Sequence, residues 1–170
     1  MQQFDKILVP VDFAALSAEA VRRAADIALH YSASLTLVYV YEPIDYAVAA
    51  TVLPGALPEG YTSFTAEQLR DMTSVYEERL RATERDVEAL GVSRVSSQLL
   101  QGAAALEIVD FAKQNAFDLI VMGTHGRTGI EHMLMGSVAE RVLRTAHCPV
   151  LTVKMPSEQR ASKGSKGKAA

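Results

Sequence analysis

The stretch from Leu119 to Val138 constrains this chain more than any other. It reads Leu-Ile-Val-Met-Gly-Thr-His-Gly-Arg-Thr-Gly-Ile-Glu-His-Met-Leu-Met-Gly-Ser-Val. The apolar run Leu119–Met122 has the length and β-branched content of a fully buried strand. It stops at Gly123, and Gly126 and Gly129 follow at spacings that permit sharp turns with exposed N–H groups. Gly136-Ser137 comes next, and Ser137 with Glu140 three residues on reads as a capping box, so a helix is expected to start there. A buried strand, a glycine-rich loop and a fresh helix N-terminus form a concavity of N–H donors. Such a concavity favours anions, phosphate above all.

The pattern is not a Walker loop, because no glycine is followed by Lys-Ser or Lys-Thr at the required spacing. It is not the dinucleotide fingerprint either, since Gly123-x-x-Gly126-x-x-Gly129 has the wrong order of gaps. Glycines after a buried strand can also be turn residues and nothing more. Against that stands a second feature, the strand Ile7-Leu8-Val9-Pro10-Val11, which ends at an acid, Asp12.

The rest of the chain alternates strands and helices. Lys6–Asp12 is a strand with Pro10 near its end, where a missing N–H is tolerated. Val21, Ala24, Ala25, Ala28 and Tyr31 mark a helix over 17–31, and Leu35–Tyr41 is a second strand. Glu42–Phe64 holds several prolines and glycines and no clean period, the mark of a functional or mobile connection. Thr65 and Gln68 form a further capping box. The helix after it carries Leu69, Met72, Tyr76, Leu80, Thr83, Val87 and Leu90 on one stripe and stops at Gly91. Val95–Leu100 is a third strand, 104–115 a helix, 118–122 the fourth strand, 137–146 a helix and 149–153 the fifth strand. The tail from 155 is polar and is expected to be disordered, leaving one domain over 1–154.

Five strands alternating with helices imply an α/β fold, a single doubly wound parallel sheet with helices on both faces. Right-handed crossovers favour the order 3-2-1-4-5. The winding then reverses between strands one and four, and ligands bind outside the carboxyl ends of the strands at such a reversal. Asp12 and Gly123 both fall there.

With Asp12 and the spacing Gly123-x2-Gly126-x9-Gly136-Ser137, the sequence resembles the universal stress protein family, in particular its ATP-binding branch, over about residues 4–154. The resemblance implies the same strand order and an ATP site at Pro10, Val11, Asp12, Val40, Met122, Gly123, His125, Gly126, Arg127, Gly136, Ser137 and Val138. The main chain of Val40 would meet the adenine, Gly123 would give close approach, and amides at Gly126 and Ser137-Val138 would hold phosphates. Arg127 is either a phosphate partner or a solvated loop arginine. Asp12 suits a ribose hydroxyl or a magnesium ion bridging the phosphates. The expected function is a nucleotide-dependent stress-response switch with at most slow ATP hydrolysis. The competing reading is an interaction dimer whose glycine loop is purely structural.

Composition narrows the classes further. The chain has 170 residues, a net charge of -3 and 49% hydrophobic residues. That balance does not suit a general nucleic-acid binder. No apolar run is long enough to span a membrane, and the first residues lack a signal-peptide pattern. The lone Cys148 suits a reducing, cytoplasmic setting and reads as a small buried hydrophobe. His125, His132 and His147 have no zinc-ligand spacing. Strand five, Pro149-Val-Leu-Thr-Val153, is short, apolar and at the sheet edge. It is expected to pair with its copy around a two-fold axis in a homodimer, with Leu151→Pro as the disrupting change.

Overall fold

The computed structural model describes residues 4–42, 66–124 and 135–154. The connection over 43–65, the glycine loop over 125–134 and the tail from 155 lie outside them. So do Thr65 of the second capping box and, within its helix, the side chains of Leu69 and Met72. The described strands are β1 (Lys6–Pro10), β2 (Ser34–Tyr41), β3 (Val95–Gln101), β4 (Leu119–Gly123) and β5 (Val150–Val153). The described helices are α1 (Ala15–Tyr31), α2 (Ala66–Ala89), α3 (Ala104–Gln114) and α4 (Ser137–Thr145). All strands pair in parallel in one five-stranded sheet of order β3-β2-β1-β4-β5. This is the expected doubly wound order.

Successive side chains of a strand point to opposite faces, and the central strands use both. Ile7, Val9, Leu35, Leu37 and Val121 pack with α1 residues such as Ala24 and Ala28, and with Leu80 and Val87 of α2. Leu8, Val38, Ile120 and Met122 pack on the other face with Ala105, Ile108 and Ala112 of α3 and Ala139 and Val142 of α4. That two-sided burial explains why these strands read as continuous apolar runs. Ile120 is the second residue of β4, wholly buried, registered with Leu8 of β1 and Val150 of β5. Ile120→Ala is expected to cost about 2–5 kcal/mol, read as a fall in the urea midpoint at unchanged slope.

Pro10 closes β1. Its backbone faces β4, but that ladder is registered only through Ile7–Leu119 and Leu8–Ile120, so the missing N–H falls beyond it. Gly91 follows the end of α2 with φ +102, a left-handed stop that glycine adopts without strain. Two expectations need correction. Leu90 is half exposed, because α2 ends at Ala89 and the apolar stripe outlasts the helix. Ser137 is not an N-cap: Gly136 holds that position in extended conformation, and its carbonyl accepts the Glu140 N–H. The Glu140 side chain instead reaches Arg144, one turn on, at 3.7 Å.

Candidate functional site

At the carboxyl ends of β1 and β4, where the sheet reverses its winding, the main chain opens into a cavity of about 200 Å³. Pro10, Val11 and Asp12 enter it from β1, and Val40 from the end of β2. Met122 and Gly123 come from β4, and Gly136, Ser137 and Val138 from the head of α4. Those expected site residues therefore share one concavity. His125, Gly126 and Arg127 lie outside the described residues.

The head of α4 is held in place by the backbone. Thr124, next after β4, accepts the Gly136 N–H at 2.7 Å, and its own N–H donates to the carbonyl of Val153 at 3.0 Å. No side chain caps the helix. Its first three residues, Ser137, Val138 and Ala139, all line the cavity. Helix geometry leaves the N–H groups of those first residues without an intrahelical acceptor. The cavity therefore meets a row of main-chain donors at the positive end of a helix dipole.

Asp12 sits in the turn from β1 to α1. Its Oδ1 accepts the Ala14 N–H at 3.0 Å, and its own N–H donates to Ser17 Oγ at 3.2 Å. The side chain thus helps to shape the turn as well as lining the cavity. It is the one charged side chain among the described lining residues. Across the crevice, Val11 donates its N–H to the Val38 carbonyl at 2.8 Å. By the period of two, the N–H and carbonyl of Val40 face the same side as those of Val38. They lie past the last residue of β1, at the cavity.

Sequence reasoning missed several lining residues: Ser17, Val38, Tyr39, Thr124, Ala104, Ile108 and Ala139. Spacing signals existed for some of them. Val38 shares a strand face with Val40, and Ala104 and Ile108 stand one turn apart on α3. Ser17 and Thr124 carried no such signal. Ser17 is placed by the bond it accepts from the Asp12 N–H, and Thr124 by its main-chain bonds with Val153 and Gly136, far off in the sequence.

Cys148 is half-buried against the α3–α4 core. Burial first, and the Asp118 carboxylate next, push its thiol above the ordinary cysteine value, which suppresses thiolate chemistry. His147 is exposed. Among the described residues no three His, Cys, Asp or Glu side chains gather as a metal-binding group. No described helix is long and apolar enough to cross a membrane.

A doubly wound parallel sheet with a donor-lined crevice at its switch point defines a class of α/β folds. Within that class the chain belongs to the universal stress protein family, whose pattern matches residues 3–154. The universal stress protein MJ0531 of Methanocaldococcus jannaschii is 38% identical over 156 residues, 92% of this chain and 85% of its own. Universal stress protein UspA from Lactobacillus plantarum superposes with a TM-score of 0.74 at 25% identity, over 91% of this chain and 100% of that one. A universal stress protein solved in complex with cAMP superposes with a TM-score of 0.67 at 25% identity, over 91% of this chain and 100% of that one.

Proposed function

We propose that this cavity binds an adenine nucleotide, ATP with magnesium, and that the chain is a nucleotide-dependent regulator of the stress response. The observation that carries the reading is convergence. The uncapped head of α4, the Asp12 carboxylate and the outward main chain of Val40 meet in one crevice. Each suits a different part of ATP. The amides of Ser137, Val138 and Ala139 suit phosphate oxygens. The adjacent N–H and C=O of Val40 match the acceptor and donor on the edge of adenine. The apolar walls of Val38, Ile108 and Met122 suit the faces of the base. The relative in complex with cAMP supports an adenine nucleotide, and the regulatory role rests on family membership.

Asp12 fits a magnesium ion, which commonly takes one or two protein carboxylates and completes its shell with phosphates and water. When bound, the ion would neutralise charge on the phosphates. Turnover, if any, is proposed to be slow. Phosphoryl transfer is driven by positive charge around the terminal phosphate, and the described lining residues supply only main-chain dipoles for that.

Calorimetric titration of the purified protein with Mg-ATP and with adenosine tests the reading. The wild type is expected to bind both, with Mg-ATP the tighter. Absence of binding by either ligand would return the loop to a structural role. Asp12→Asn then separates the two roles of the carboxylate, because asparagine keeps an oxygen for the Ala14 N–H and loses the charge. A magnesium role predicts about a tenfold loss for Mg-ATP with adenosine nearly unchanged. Equal losses for both ligands assign Asp12 to the ribose.

We also propose a homodimer formed by edge strand β5. Leu151 is 40% exposed there, and the edge has no partner strand among the described residues.

A further inference from the structure

Phe13, the residue after Asp12, has φ +62. Among the described non-glycine residues only Ser32 and Ala116 share a positive φ. Ser32 caps the end of α1, and Ala116 follows the end of α3. Left-handed residues are common at helix C-termini. Phe13 stands at the opposite end, in the approach to α1, where a bulky side chain in this conformation is strained. A glycine would adopt it freely.

The ring shows what the phenylalanine contributes. It stacks on Tyr39 with centroids 5.0 Å apart and planes tilted by 32°. Tyr39 stacks in turn on Tyr76 at 4.5 Å. The Arg79 guanidinium lies over the Phe13 ring at 5.5 Å. Tyr76 and Arg79 are three residues apart on α2, on one face of that helix. No described residue of α2 lines the cavity. The Asp12 Oδ1 to Ala14 N–H bond arches over Phe13, so the backbone angles of Phe13 set where that carboxylate stands.

We propose that Phe13 is a positioning residue for the crevice. Its ring, in contact with Tyr39 and Arg79, locks a left-handed turn that presents the Asp12 carboxylate to the ligand, and through it the packing of α2 bears on a site that no described residue of α2 lines. Only the ligand readout of this proposal rests on the nucleotide reading.

Two measurements test it. The first needs no nucleotide: hydrogen exchange at the Ala14 amide. Phe13→Gly removes the ring lock and is expected to speed that exchange about tenfold, while Phe13→Tyr keeps the stack and the wild-type rate. An Ala14 rate unchanged in Phe13→Gly overturns the proposal. The second is a cycle of Phe13→Gly and Asp12→Ala read by Mg-ATP titration. Phe13→Gly is expected to weaken binding about tenfold in the wild-type background and not at all once Asp12 is gone. Losses that add would mean that the ring acts independently of Asp12, and would overturn it. A wild type that binds no nucleotide defeats the nucleotide reading instead, and the exchange rates then decide the positioning role alone. Should Phe13→Gly fail to fold, Arg79→Ala replaces it, an exposed residue expected to move both readouts in the same direction by about threefold. No change in either then overturns the proposal.

Discussion

Ser137→Glu is expected to weaken Mg-ATP binding by at least about a hundredfold while leaving the fold intact. Ser137 is the first residue of α4 and lines the cavity. A carboxylate there would occupy the amide row and repel the phosphates. For the helix itself the same charge is favourable, since acids are stabilised at the positive end of the dipole. Repulsion from Glu140 one turn on offsets part of that gain, so stability should move by no more than about 0.5 kcal/mol. Ser137→Ala is the control. It removes the hydroxyl, keeps the N–H, and should lose less than about fivefold, because the main chain supplies most of the donors. Calorimetry and thermal melts on both variants check the pair. A Glu variant with wild-type affinity removes the head of α4 from the phosphate site.

Thr152→Pro is expected to convert a dimer to a monomer with little loss of stability. The structure selects this residue rather than Leu151. Ile120 donates its N–H to the Pro149 carbonyl, and Thr124 donates to that of Val153. Alternate residues of a strand turn their main-chain groups the same way, so Pro149, Leu151 and Val153 face β4. The outward donors belong to Val150, Thr152 and Lys154. The expected disruption by Leu151→Pro is therefore corrected: it would remove an N–H turned toward β4 inside the sheet, between Ile120 and Met122, at about 1–3 kcal/mol, before it told anything about assembly. Thr152→Pro removes an outward N–H at an edge, where proline is tolerated. Light scattering at micromolar concentration is the measurement. A monomeric wild type rules out the dimer, and a Thr152→Pro variant that stays dimeric moves the interface elsewhere.

The fold was legible because its central strands are buried on both faces. Ile7–Val9 and Leu119–Met122 are nearly continuous apolar runs, and alternation with helices left few sheet orders to choose from. The floor of the cavity was legible for a related reason, since Asp12 and Gly123 mark strand ends and strand ends gather at the switch point. What stayed hidden depended on dihedral angles and distant partners. Phenylalanine does not signal a left-handed turn, so the strain at Phe13 has no trace in the residue pattern. A serine followed three residues later by a glutamate looks the same whether the serine caps a helix or begins it. Here the bond from Gly136 to Thr124 shifts the cap back by one residue. Leu90 obeys the stripe of α2 and yet faces solvent, because periodicity does not report where a helix ends.

Thr124 lies 1% exposed between two structural roles. Its N–H holds the last carbonyl of the edge strand, and its carbonyl holds the N-cap of the helix at the cavity rim. One residue thus separates an outer border of the sheet from the cavity at its switch point. Both links are main-chain hydrogen bonds, so the connection depends on no side-chain rotamer. Thermodynamic linkage makes any coupling along such a connection reciprocal: if the proposed ligand favoured dimer pairing at β5, pairing would favour the ligand by the same free energy. If the proposed nucleotide and the proposed dimer were coupled through this residue, occupancy would change self-affinity, and the apparent affinity for nucleotide would vary with protein concentration.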